Sequence, residues 1–197
     1  MHAAGQETAR KRRAAALAGH KGDRATALSY FDDPDEAVRA TALGALARLG
    51  GVTASLAARA LADPSPAVRR RAAELAVDMA GADFKPLLED DDAAVVEAAC
   101  FALGEVRDAG AVARLAEVAA EHADPLCRES AVAALGAIGD RSALPAILAA
   151  LKDKPAVRRR AVIALAPFEG DQVRAALTRA LDDRDWQVRQ AAEDLLG

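Results

Sequence analysis

Few side chains in this sequence have both the type and the company that chemistry needs. The three histidines, His2, His20 and His122, are scattered, with no Ser-His-Asp order, no HExxH and no phosphate-cradling glycine loop. The two cysteines, Cys100 and Cys127, belong to no CxxC or Cys/His cluster, so they read as buried, reduced thiols rather than a disulfide or a zinc site. The acidic run Glu89–Asp92 could face a cation, but it lacks the spaced ligands and the glycine of a calcium loop and reads as a solvated turn. The other carboxylates fall mainly in turns, where capping of helix N-termini explains them. No catalytic residue, no metal site and no cofactor is expected.

Two basic stretches raise the binding of anions instead. "RKRR", Arg10–Arg13, lies on a predicted helix without aromatic stacking partners, and reads as the polar outer face of an end helix. The chain has 26 Lys and Arg against 30 Asp and Glu, a net charge of −4, which argues against nucleic acid as a general partner. The second stretch, "DPSPAVRR" (Asp63–Arg70), matters for another reason: it recurs.

With Val68 of that phrase as an anchor, equivalent positions are Val38, Val95, Cys127, Val157 and Val188, spaced by 30, 27, 32, 30 and 31 residues in chain order. A period near 30 is the mark of stacked repeats. Four residues after each anchor stands Ala42, Ala72, Ala99, Ala131, Ala161 or Ala192, without exception. Eight after come Leu46, Ala76, Leu103, Leu135, Leu165 and Leu196; eleven after come Leu49, Met79, Val106, Ile138 and Phe168. These offsets share one helical face. The alanine column predicts a contact where a larger side chain would overpack.

Each anchor helix has a start signal: Asp33-Pro34, Asp63-Pro64, Asp90-Asp91, Asp124-Pro125, Asp153 with Pro155, and Asp182-Asp183. Glycines 50, 51, 81, 139 and 170 suit helix stops. Apolar residues make up 52% of the chain and aromatics 3%, with alanine, leucine, arginine and glutamate prominent, so the expected class is all-α. The pattern predicts a helix near 7–18 and then six antiparallel pairs. First helices fall at about 24–31, 52–62, 83–89, 110–121, 142–151 and 171–181; second helices start near 36, 66, 93, 125, 155 and 185. No linker divides the chain, so a single elongated domain, 1–197, is expected, with 1–23 as a capping helix and 24–197 as the pairs. No apolar run reaches membrane-spanning length and the N-terminus carries no convincing export signal, so insertion into a membrane is not expected and the cytoplasm is the expected compartment.

The phrases "DPDEAVRATALGALARLG" (33–50), "DPSPAVRRRAAELAVDMAG" (63–81), "PLCRESAVAALGAIGDRSALPAILAAL" (125–151) and "KPAVRRRAVIALAPF" (154–168) resemble HEAT repeats, in the short form called bilin-lyase-like or PBS lyase HEAT-like repeats. The resemblance covers roughly 24–197. It implies a right-handed, armadillo-like α-solenoid. It also implies that Arg39, Arg69, Arg128, Arg158 and Arg189, one after each anchor, pair with turn aspartates in a ladder along the stack. Val96 stands in that column in the third repeat, so the ladder should break there.

Offsets 2, 6 and 9 point away from the anchor side, where such solenoids have their concave surface. They place Phe101, Ala133 and Ile163 in one apolar stripe, with Arg70, Glu74, Glu97, Glu129 and Arg159 around it. Apolar side chains on a groove suggest partner contact. The expected function is a non-catalytic scaffold that binds a protein or peptide through this face. A bilin or tetrapyrrole lyase-like or chaperone-like factor is the alternative, and a nucleic-acid-binding solenoid a second one. Fold analogy does not choose among them.

Overall fold

The computed structural model describes residues 2–197, with side chains from residue 5; Met1 and the side chain of His2 lie outside the described residues. The described residues contain helices and turns but no strand. The chain forms two compact units, the first closing at Leu87 and the second opening at Leu88.

The first unit holds α1 (His2–Lys21), α2 (Arg24–Phe31), α3 (Glu36–Arg48), α4 (Ala54–Leu61) and α5 (Pro66–Glu74). Helix α3 packs on α1, α2 and α5, and α4 packs on α5. The second unit holds α6 (Ala93–Glu105), α7 (Val112–Glu121), α8 (Pro125–Ile138), α9 (Leu144–Ala150), α10 (Pro155–Ala164), α11 (Asp171–Ala180) and α12 (Trp186–Leu196). There α6, α8, α10 and α12 pack in succession, with α7, α9 and α11 behind them. Short 3-10 turns, Ala109–Ala111 and Arg141–Ala143, lead into α7 and α9.

One predicted helix is different. Segment 83–89 forms a 3-10 turn, Lys85–Glu89, not an α-helix. The anchors flanking it, Val68 and Val95, are only 27 residues apart, and Pro86 removes a backbone donor. Helix α5 likewise stops at Glu74 and gives way to a 3-10 turn, Ala76–Asp78.

The start signals work through two acids rather than one. The first aspartate of the phrase closes a local turn: Asp33, Asp63 and Asp183 accept from the N–H groups of Asp35, Ser65 and Asp185. The cap itself comes two residues later, from Asp35, Asp92 and Asp185, whose carboxylates accept from the first-turn N–H groups of α3, α6 and α12. Asp124 caps α8 directly. Gly139 ends that helix in the left-handed region at φ 70°, a conformation that costs glycine little.

The anchors and the alanine column are buried in all six repeats. The offset-8 residues are buried in five; Leu196, at the end of α12, is 42% exposed. The offset-11 column is looser: Met79 is buried, Leu49, Ile138 and Phe168 are half-buried, and Val106 is exposed. The tightest backbone approach falls five residues beyond the alanine column. A Cβ on Gly136 would lie 2.7 Å from the Cα of Ala164, and one on Gly104 3.0 Å from the Cα of Ala134. Glycine on one helix and alanine on the next set the spacing of α6, α8 and α10.

Candidate functional site

The arginine column is structural. Arg39 makes two hydrogen bonds to Asp63, at 2.9 and 2.8 Å, and donates to the carbonyls of Asp33 and Pro34. Arg128 does the same with Asp153, at 2.6 and 2.8 Å, and with the carbonyls of His122 and Ala123. Arg158 binds Asp183 at 2.8 and 2.7 Å and the Asp153 carbonyl at 2.8 Å. Each guanidinium thus ties a carboxylate of the next repeat to the backbone of its own turn. Arg69 and Arg189 make the carbonyl bonds as well, to Asp63 and Asp183 respectively.

These bonds hold the carboxyls below the usual aspartate range: Arg128 lowers Asp153 and Arg158 lowers Asp183. At Asp63 burial pushes upward, and hydrogen bonds from Arg39 and the Ser65 N–H more than offset it.

No such rung forms at Val96, which is buried. The position that would face it has changed too. His122 stands where other repeats have the turn aspartate, and its Nδ1 accepts from the Asp124 N–H as those aspartates do from theirs. Both ends of the rung are therefore replaced together, and no carboxylate is stranded.

The grooves lie on the other face. In the second unit a groove of about 380 Å³ runs along α6 and α8. It brings together four predicted residues, Glu97, Phe101, Glu129 and Ala133, and adds Leu126, Glu105 and Arg160. Phe101 is 56% exposed and Leu126 49%. Ile163 on α10 is 42% exposed, outside the groove lining but at the offset of Phe101 and Ala133. Arg160, not Arg159, reaches the groove, and its guanidinium donates to Glu129 at 3.2 Å. The predicted Arg70 and Glu74 line a different groove, in the first unit, where Arg70 and Arg71 both pair with Glu74.

Leu126 was missed although the sequence marks it. The residue before each anchor is Ala37, Ala67, Ala94, Leu126, Ala156 and Gln187, so a leucine stands out in a column of mostly small residues. Cys100 and Cys127 are buried free thiols, which burial pushes up to about 12 and about 11. Among the described residues no three of His, Cys, Asp and Glu come together as metal ligands, and no helix is long and apolar enough to cross a membrane.

The sequence matches HEAT repeats three times, over 53–136, 81–156 and 114–197, well over half of the chain in all. The chain belongs to the HEAT-repeat family. None of the curated proteins matches this HEAT-repeat chain. Its backbone is similar to that of an engineered protein (TM-score 0.64, 18% identity, 88% of this chain and 95% of that one). It is similar to a designed armadillo repeat protein solved with the peptide (KR)4 (TM-score 0.54, 18% identity, 96% and 90%). It is also similar to human deoxyhypusine hydroxylase (TM-score 0.50, 21% identity, 96% and 78%). At these identities the likeness is one of fold: an armadillo-like α-solenoid.

Proposed function

We propose that this HEAT-repeat chain, acting as one solenoid domain, is a non-catalytic scaffold that holds a peptide or protein segment in the groove of α6 and α8. The observation that carries the reading is the exposure of Phe101. No packing need puts a half-exposed phenyl ring beside an exposed leucine in a groove, whereas a partner side chain would cover both. Covering about 100 Å² of ring surface would contribute roughly 2–3 kcal/mol. Glu97, Glu105 and Glu129 border these apolar residues, with Arg160 the one cation among the groove residues. That suits an amphipathic segment with an apolar anchor and basic flanks. The (KR)4 peptide of the designed armadillo neighbour is a basic ligand on a similar fold.

A displayed random-peptide library selected on the protein tests the proposal. Selected peptides are expected to combine an aromatic or leucine anchor with Lys or Arg, and to lose about tenfold or more in affinity on Phe101→Ala. Unchanged affinity, or selection of no peptide, would refute it. Saturable absorbance changes with a bilin would favour the tetrapyrrole reading.

A further inference from the structure

The first unit carries a groove of opposite chemistry. It lies over α1, α3 and α5 and encloses about 410 Å³. Its walls are Arg12, His20, Arg48, Arg70, Arg71 and Glu74. Four guanidinium groups face one carboxylate, a local charge of +3 in a chain whose total is −4, so everything outside the groove sums to −7. Glu74 is shared by Arg70 and Arg71, at 3.3 and 3.0 Å. Arg12 makes only a long bond, 3.4 Å, to the Thr41 hydroxyl. Arg48 is exposed on the last turn of α3.

The floor is low. Ala16, Ala40 and Gly44 line it, and the Arg71 guanidinium lies where a side chain on Gly44 would be, with Nη2 2.9 Å from that Cβ position. The Arg71 guanidinium therefore lies across the floor at Gly44, within the groove it lines.

We infer that this groove is a docking site for a short acidic peptide segment, distinct from the apolar groove of α6 and α8. Three packed helices at about 8–10 Å between axes span roughly 20 Å, the length of about six extended residues. A segment of that length with three or more Asp or Glu side chains would neutralise the site, with guanidinium–carboxylate pairs as its polar contacts. Nucleic acid fits less well: no Phe, Tyr or Trp lines the groove for base stacking, and the chain as a whole carries a net charge of −4.

Fluorescence anisotropy with labelled hexaglutamate tests the inference on the intact chain, with labelled hexalysine and dodecathymidylate as the other arms. Hexaglutamate is expected to bind saturably at low salt, to weaken as salt rises, and to lose about tenfold or more on Arg48→Glu or Arg12→Glu. Both side chains are exposed, and far-UV circular dichroism checks that each variant stays helical. Phe101→Ala is expected to leave hexaglutamate binding unchanged, which separates this site from the apolar groove. The inference is overturned if hexaglutamate does not saturate, if both charge reversals bind it as the parent does, or if hexalysine also binds and is lost on the same reversals. Tighter binding of dodecathymidylate, lost on the same reversals, would overturn it in favour of nucleic acid.

Discussion

Replacing Gly136 by alanine sets two effects against each other. In the body of a helix, Gly→Ala ordinarily stabilises by up to about 1 kcal/mol, because glycine loses more backbone freedom on folding. Here the added methyl would lie 2.7 Å from both Cα and Cβ of Ala164 and 3.1 Å from its carbonyl oxygen. Carbon atoms rest at about 3.5–4.0 Å, so α8 and α10 must part by about 1 Å. The atoms met are backbone and Cβ, which have no rotamer to move into. Overpacking of this kind costs about 1–3 kcal/mol, so the net expectation is a loss of about 1–2 kcal/mol. Gly44→Ala is the matched control. Its Cβ would meet the Arg71 guanidinium at 2.9 Å, the far end of a flexible side chain that can swing away. That substitution should be neutral or stabilise by about 0.5–1 kcal/mol. Urea unfolding followed by helical circular dichroism measures both. If Gly136→Ala stabilises as much as Gly44→Ala, the close approach of α8 and α10 is not what sets their spacing.

Ala131→Leu, in the fully buried column, should cost about 1–3 kcal/mol in the same assay, while Ala40→Leu, on a groove floor, should cost little. Val96→Arg alone should destabilise by about 3 kcal/mol or more by burying an unpaired charge; combined with His122→Asp it should recover at least about 1 kcal/mol, and a double-mutant cycle without coupling would refute the rung. Asp153 and Asp183 titrate below their unfolded values, so their stabilisation is complete above about pH 4 and is lost as pH falls through the depressed folded values. Acid unfolding should accordingly begin below about pH 4 and shift upward on Arg158→Ala, as a pH series of melting curves would show. If residues 1–197 are one domain, urea unfolding should give a single transition by every probe, and two resolved transitions would contradict that reading.

Much of the fold was legible because each repeat restates it. Six alanines at one offset, with anchors at a period near 30, fixed the second helices to within a residue, and 36, 66, 93, 125 and 155 are their observed starts. The segment before Asp90 was misread because its apolar residues, Phe84, Leu87 and Leu88, are buried as a helix face would be, while length and Pro86 decide the hydrogen bonding. Val106 was assigned to the core because offset 11 is apolar in five repeats; it is 43% exposed, and nothing in the helix ends separates it from Leu49 or Met79. The ladder was implied by the resemblance to HEAT repeats, but the exchange of Asp for His122 needed the geometry of the turn. At the grooves, one repeat offset carries both Phe101 and Ala133, and both line the groove of α6 and α8. The repeat pattern chose Arg159 over Arg160 because adjacent arginines differ by only one step around the helix. It joined Arg70 and Glu74 to the apolar stripe because offsets carry no information about where one groove stops.

The central claim is that the face carrying Phe101 is where a partner sits, and site-specific photo-cross-linking tests it most directly. With p-benzoylphenylalanine in place of Phe101, illumination in the presence of a library-selected peptide should join peptide to protein in a single band. The same group in place of Trp186, which is 64% exposed on α12 and away from the groove, should give little or none. Equal cross-linking from both positions, or none from position 101 with a peptide that still binds, would contradict the account.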